Sequence, residues 1–195
     1  MKNKILIVIS AIMIAAIFMG CAKVPQPEID AANAAIESAV TAGADKYLPD
    51  EFAAVKDSMN AIMEAVELQK SKSFAKYGDV KEKLAAVTTM ANDLVTKTEA
   101  RIVELKAEVP KKLEEVTALV KETKQLLLKA PRGKEGLAAL NAMKSEIAAA
   151  EKSMGEVTPL LESGDVYGAS TKVNGLHETL TQIKKELENA IAKAR

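Results

Sequence analysis

The chain offers few residues able to do chemistry. Cys21 is its only cysteine, and one thiol closes no internal disulfide and builds no multi-cysteine metal site. His177 is its only histidine; it lies beside Leu176 on the flank of a helical seam. The positions three and four residues on are Leu180 and Thr181, which supply no second metal ligand, so His177 reads as a half-exposed surface residue. Carboxylates are many but intermingle with lysines: Glu115 follows Lys111 at i+4, and Glu186 and Glu188 surround Lys184 and Lys185, the pattern of a solvated helix face. No Gly-rich phosphate loop and no Gly-x-Ser-x-Gly elbow is present. A carboxylate metal site inside a helical bundle needs acids on the apolar stripes, and the stripes carry none. Most of Met59, Met63, Met90, Met143 and Met154 lie on or beside those stripes, so they read as core filling ahead of a soft-metal or adaptable binding groove. The chain is therefore expected to be no enzyme, with no cofactor and no metal.

The stretch with the most specific order is Met1 to Cys21. Lys2 and Lys4 are followed by an apolar run from Ile5 to Met19, broken only by Ser10, and then by Gly20-Cys21. A charged start, an apolar middle and a small residue at the cut site make a secretory signal peptide. The run is shorter than the ~20 residues of a membrane-spanning helix. Residues 1–20 are thus expected to be removed.

Gly20-Cys21 resembles the lipobox of bacterial lipoproteins, with Phe18 in place of the usual Leu three residues before the cysteine. The resemblance implies that Cys21 is diacylated, that cleavage falls before it, and that its new amino group is acylated. Several acyl chains anchor stably where one binds marginally, which makes membrane lipid a partner through Cys21. By the same resemblance, Ala22 in place of Asp implies sorting to the outer membrane of a Gram-negative envelope, facing the periplasm.

Removing residues 1–20 takes Lys2 and Lys4 from 27 basic residues, leaving 25 against 27 acidic ones, a net charge of −2. That balance argues against a nucleic-acid partner. Aromatics are scarce, Trp is absent, and Ala, Leu, Val, Ile and Met supply the apolar content beside Glu and Lys, which favours helix. Residues 21–27 form a short tether in which Pro25 and Pro27 are expected to be extended. Residues 28–195 read as an all-α, elongated antiparallel bundle of about five helices with one long central helix.

The first helix is expected over 28–42, with Ile29, Ala32, Ile36, Ala39 and Val40 on one face and Gly43 as its stop. After a connection at 44–48, Pro49 opens a second helix on Phe52, Val55, Met59, Ile62 and Val66, running to about Ala75. Gly78 should end it and Asp79 cap the third, with Glu82 completing a capping box. The third helix carries apolar or threonine positions from Val80 to Leu127 at steps of three or four. Pro110 interrupts it and is expected to kink rather than break it. Ala130-Pro131-Arg132-Gly133 is a turn. A fourth helix over 134–162 contains Pro159 as a bend. Gly164 and Asp165 repeat the stop-and-cap pair before a fifth helix on Val166, Ala169, Val173, Leu176, Leu180, Ile183, Leu187 and Ala190. The bundle is expected to divide into sub-segments 28–105 and 106–195. Gly78-Asp79-Val80 and Gly164-Asp165-Val166 stand 86 residues apart, as two related hairpins would place them, although helical hairpins also resemble one another by physics alone.

Gly43-Ala44-Asp45-Lys46-Tyr47-Leu48-Pro49, behind an alanine-rich helix, resembles the Gly-Ala-x-x-Tyr-x-Pro pattern of envelope lipoproteins carrying a helical domain of unknown function; Gly78-Asp79 matches a later turn of that family. The resemblance covers about the first third of the mature chain and carries over no catalytic residue.

One charged cluster stands out. Lys121, Lys124, Lys129, Arg132 and Lys134 face only Glu122 and Glu135 within residues 121–135, and Lys193 and Arg195 end the chain. Alternating helix directions would gather both groups into a cationic tip directed at peptidoglycan or another envelope protein. Lysines also favour the last turns of helices through the macrodipole alone. The alternative to such an adaptor is a periplasmic module holding a small apolar or lipid ligand between helices, which an interior cavity of a few hundred Å³ would mark.

Overall fold

The computed structural model describes residues 23–132 and 136–194. The signal segment, Cys21, Ala22, Lys134 and Arg195 lie outside the described residues. The chain is all-α: α1 (Gln26–Ala42), α2 (Ala44–Tyr47), α3 (Pro49–Lys70), α4 (Gly78–Lys129), α5 (Gly136–Met154), α6 (Val157–Glu162) and α7 (Val166–Lys193). It divides into two compact units whose boundary falls inside the long helix α4, between Glu99 and Ala100.

In the first unit, Ile29, Ala32, Ala35 and Ala39 of α1 meet Val55, Met59, Ile62 and Val66 of α3 and Val80, Leu84, Val87, Ala91 and Leu94 of α4. Alanine on α1 lets its neighbours approach closely. Ala35, not expected on the stripe, is buried, and Val40, expected on it, is exposed. In the second unit, Val109, Val116 and Val120 of α4 pack with Ile147 and Ala150 of α5, Val157 of α6, and Val173, Leu180, Ile183 and Leu187 of α7. The apolar stripe of α4 is buried at nearly every expected position; Thr98 and Thr123 share it because their hydroxyls donate to the carbonyls of Leu94 and Leu119, at 2.7 and 2.9 Å.

Several local expectations are corrected. Pro27 is helical, because α1 begins at Gln26 and a missing N–H costs nothing among the unbonded donors of a first turn. Residues 44–48 are mostly the one-turn helix α2. The second helix ends at Lys70, well before Ala75. Its apolar stripe stops at Val66, and the Ser71 hydroxyl donates to the Leu68 carbonyl at 2.9 Å. Gly78 therefore stops nothing: it is the first residue of α4, and Asp79 lies inside that helix rather than capping it. The fourth helix is two helices. Pro159 has no N–H and its ring would meet the carbonyl four residues back, that of Gly155. The chain turns at Gly155 and Glu156, whose N–H groups reach the carbonyls of Lys152 and Ser153, and Pro159 sits near the start of α6. Pro110, by contrast, lies within the continuous α4. Gly43 ends α1 in the left-handed conformation at φ 88°, as expected.

Candidate functional site

The cationic tip is built from the last turns of α4, the first of α5 and the end of α7. Contacts between helices fix the relative directions. Lys124 Nζ of α4 meets Glu151 Oε1 of α5 at 2.5 Å, and Leu127 and Leu128 lie beside Leu137 and Leu140, so α5 returns antiparallel to α4. Lys184 Nζ of α7 meets Glu122 Oε1 at 2.9 Å, and His177 Nε2 lies 3.9 Å from Glu115 Oε2, so α7 runs parallel to α4. Continuing that register sets Lys193 level with Pro131. Lys121, Lys129, Arg132 and Lys193 are exposed, whereas Lys124 is held by Glu151 and offers less to a partner.

Apolar groups are exposed at this end as well. Leu128 is 73 % exposed, and Leu137, expected on the core stripe of α5, is half exposed because it begins the helix beyond the reach of the core. With Leu127, Leu140, Asn141, Lys144 and Arg132 they line a cleft of about 320 Å³. Periodicity alone places Leu137 on the stripe and gives no sign of where the core ends, so sequence reasoning missed this apolar component. The arrangement can present cations around a small greasy surface, and it contains no nucleophile–base pair.

His177 has a partner that spacing along its own helix does not reveal. Glu115, on the charged face that also carries Lys111, accepts from Lys112 Nζ at 2.9 Å and faces His177 across the α4–α7 seam. Lys112, and to a smaller extent His177, hold the Glu115 carboxyl below its ordinary range. Beside them a groove of about 310 Å³ is lined by Glu108, Lys111, Lys112, Ser170 and Asn174 among others. Asn174 Nδ2 donates to Ser170 Oγ at 3.4 Å. Among the described residues no three metal-ligating side chains gather, and no buried side-chain polar atom lacks a hydrogen-bond partner.

Of the remaining ion pairs among the described residues, two join separate segments, and the others, such as Lys70–Glu67 and Arg101–Glu104, lie within one helix. Lys81 holds Glu28 at 2.6 Å, and Lys172 holds Glu156; in each case the lysine's hydrogen bond draws the carboxyl below its ordinary range. Glu122 raises Lys184 above the usual lysine range. These are exposed pairs, which orient helices without adding much stability.

Among the described residues no helix is long and apolar enough to cross a membrane. Fold and surface together define a class by architecture alone: an all-α helical bundle with ion pairs along and between its helices. Comparison with family models, with characterised proteins and with solved structures finds no match for this chain.

Proposed function

We propose that the chain is a non-enzymatic lipoprotein, held in the outer membrane by acylated Cys21 and serving as a structural or adaptor element that contacts peptidoglycan or another envelope protein. One observation carries most of the reading's weight. Val24 already packs against the core of the first unit and Pro25 is buried, so the folded domain starts three residues after Cys21. A scaffold seated that close to its anchor works at the membrane surface and reaches outward from it. The lipobox-like Gly20-Cys21 and the resemblance to alanine-rich envelope lipoproteins support the anchor. The exposed Lys129, Arg132 and Lys193 support an anionic partner such as peptidoglycan.

The test is metabolic labelling with an alkyne fatty acid, followed by fractionation. Label on the native chain, lost together with membrane association in Cys21→Ser, is the expected result; an unlabelled native chain overturns the reading. Lys129→Glu with Arg132→Glu should then weaken retention on purified sacculi, and unchanged retention removes the tip from the proposal.

The second reading, a module for a small apolar or lipid ligand, draws on a groove of about 320 Å³ between α3 and α4, lined by Ala61, Ile62, Ala86, Val87 and Met90. Native mass spectrometry of the purified chain would reveal such a ligand as a non-covalent adduct.

A further inference from the structure

The loop between α3 and α4 is a candidate for membrane contact beside the lipid anchor, and it is separate from the cationic tip. Lys70 to Lys76 reads Lys-Ser-Lys-Ser-Phe-Ala-Lys, three lysines and no acid. Phe74 in its middle is 78 % exposed, more than any other large apolar side chain described. The loop is not loosely attached. Ala75 and Tyr77 pack into the first unit's core, Lys76 N–H donates to Gln69 Oε1 at 3.3 Å, and Lys72 N–H donates to the Gln69 carbonyl at 3.0 Å. Tyr77 is buried and Ala75 half-buried, while Phe74 and Lys76, on either side of Ala75, stay exposed.

The position of this loop gives Phe74 an occupant. Lys81 Nζ meets Glu28 Oε1 at 2.6 Å, so the first turn of α4 lies beside the first turn of α1. Each residue is two or three positions in from its helix start, about 3–5 Å of rise. The loop leading into α4 thus lies at the same end of the unit as Val24 and Pro25, where the chain arrives from Cys21. Lys23, also exposed, is at that end too.

We propose that Phe74 inserts into the headgroup region of the bilayer that holds Cys21, with Lys23, Lys72 and Lys76 on its anionic lipids. The inference rests on the lipoprotein reading. An aromatic side chain among lysines is the composition that partitions into an anionic interface. Beside a covalent anchor, such a contact turns a tether into an oriented seat.

The absence of Trp from the chain makes the test direct. The full chain carrying Phe74→Trp is placed in vesicles of phosphatidylethanolamine and phosphatidylglycerol containing brominated lipid. A second chain carries Val40→Trp, exposed near the opposite end of α1. Quenching of Phe74→Trp at least about threefold stronger than that of Val40→Trp supports the seat. Lys72→Glu with Lys76→Glu in the Phe74→Trp chain should reduce that quenching, at unchanged helical circular dichroism. Equal quenching of the two tryptophans overturns the proposal, as does quenching indifferent to the charge reversals. The mass of the peptide containing Cys21 separates the two claims. An acylated peptide together with an unquenched Phe74→Trp chain sinks the seat alone. An unacylated one sinks the anchor, and vesicles added to that chain still decide the loop by the same quenching ratio.

Discussion

Two turns with the same three residues, Gly78-Asp79-Val80 and Gly164-Asp165-Val166, fold differently. At the second, Gly164 has φ +87° and closes α6: its N–H reaches the Leu161 carbonyl, and the Asp165 N–H reaches that of Leu160, the paired bonds of a Schellman end. Asp165 then caps α7 by accepting from the Gly168 N–H at 2.9 Å. At the first, α3 has already ended at Lys70. Gly78 has no left-handed φ to supply, and Asp79 is a first-turn helical residue. What precedes each tripeptide decides the outcome. Leu160 and Leu161 bring a helix up to Gly164, whereas the non-helical Ala75 to Tyr77 leads up to Gly78. A turn motif acts only on the backbone that enters it.

Glycine substitutions should divide the two turns most widely. Gly164→Ala forces a side chain into the left-handed region, a cost of about 1–2 kcal/mol that the stiffer unfolded chain offsets only in part. At Gly78 an added Cβ meets nothing within 4 Å, and φ is not in the left-handed region. Gly78→Ala should therefore stabilise by about 0.5–1 kcal/mol. Urea unfolding followed by circular dichroism should show midpoints moving in opposite directions. Movement in the same direction would mean that the two glycines do the same work.

The aspartates should differ less. Asp165→Ala removes a cap and should cost about 1 kcal/mol. Asp79→Ala loses only a macrodipole contact, nearly offset by the better helix propensity of alanine, for a net change of about zero. Gly168 sharpens the contrast. A Cβ there would lie 2.3 Å from Asp165 Oδ2, so the capping carboxylate occupies the space that only glycine leaves open. In the native chain, Gly168→Ala should displace the cap and gain little. In the Asp165→Ala background the same change should stabilise by up to about 1 kcal/mol, by helix propensity alone. Additive effects in this cycle would show that Gly168 is not there for the cap.

The helical stripes were legible in the sequence because burial imposes a period, and α4 keeps that period through Pro110. Chain breaks were legible only where one residue type forces them, as Gly43 and Pro49 do. Pro159 could be read as a bend, but its ring moves the break four residues upstream to Gly155. The early end of α3 depends on where its apolar stripe stops and on the Ser71 hydroxyl, which no helix-breaking residue type announces. The lysines of the tip could be read as a run. The ion pair that occupies Lys124 and the exposure of Leu128 and Leu137 arise from helices that meet only after folding, and so does the pairing of His177 with Glu115. Phe74 was hidden by the same error that extended the second helix to Ala75.

The smallest effects belong to the ion pairs that brace each turn, Lys81 with Glu28 at the first and Lys172 with Glu156 at the second. Both carboxyls, and that of Glu115, are lowered from the ordinary 4.5 in the folded chain, so the unfolded chain binds more protons in acid. Their contribution is present above about pH 5 and is lost as pH falls through the folded values. Lys184 is raised from 10.5, so its contribution is present below that value and is lost as pH climbs through the folded one. The melting temperature should be flat between these limits and fall gently on either side. Lys81→Met and Lys172→Met should each flatten the acid limb, and about 0.5 M salt should do the same by screening. The opposite responses at Gly164 and Gly78 involve no charge and should survive both treatments. If they vanish in acid or salt, the two turns differ through electrostatics and not through the backbone that enters them.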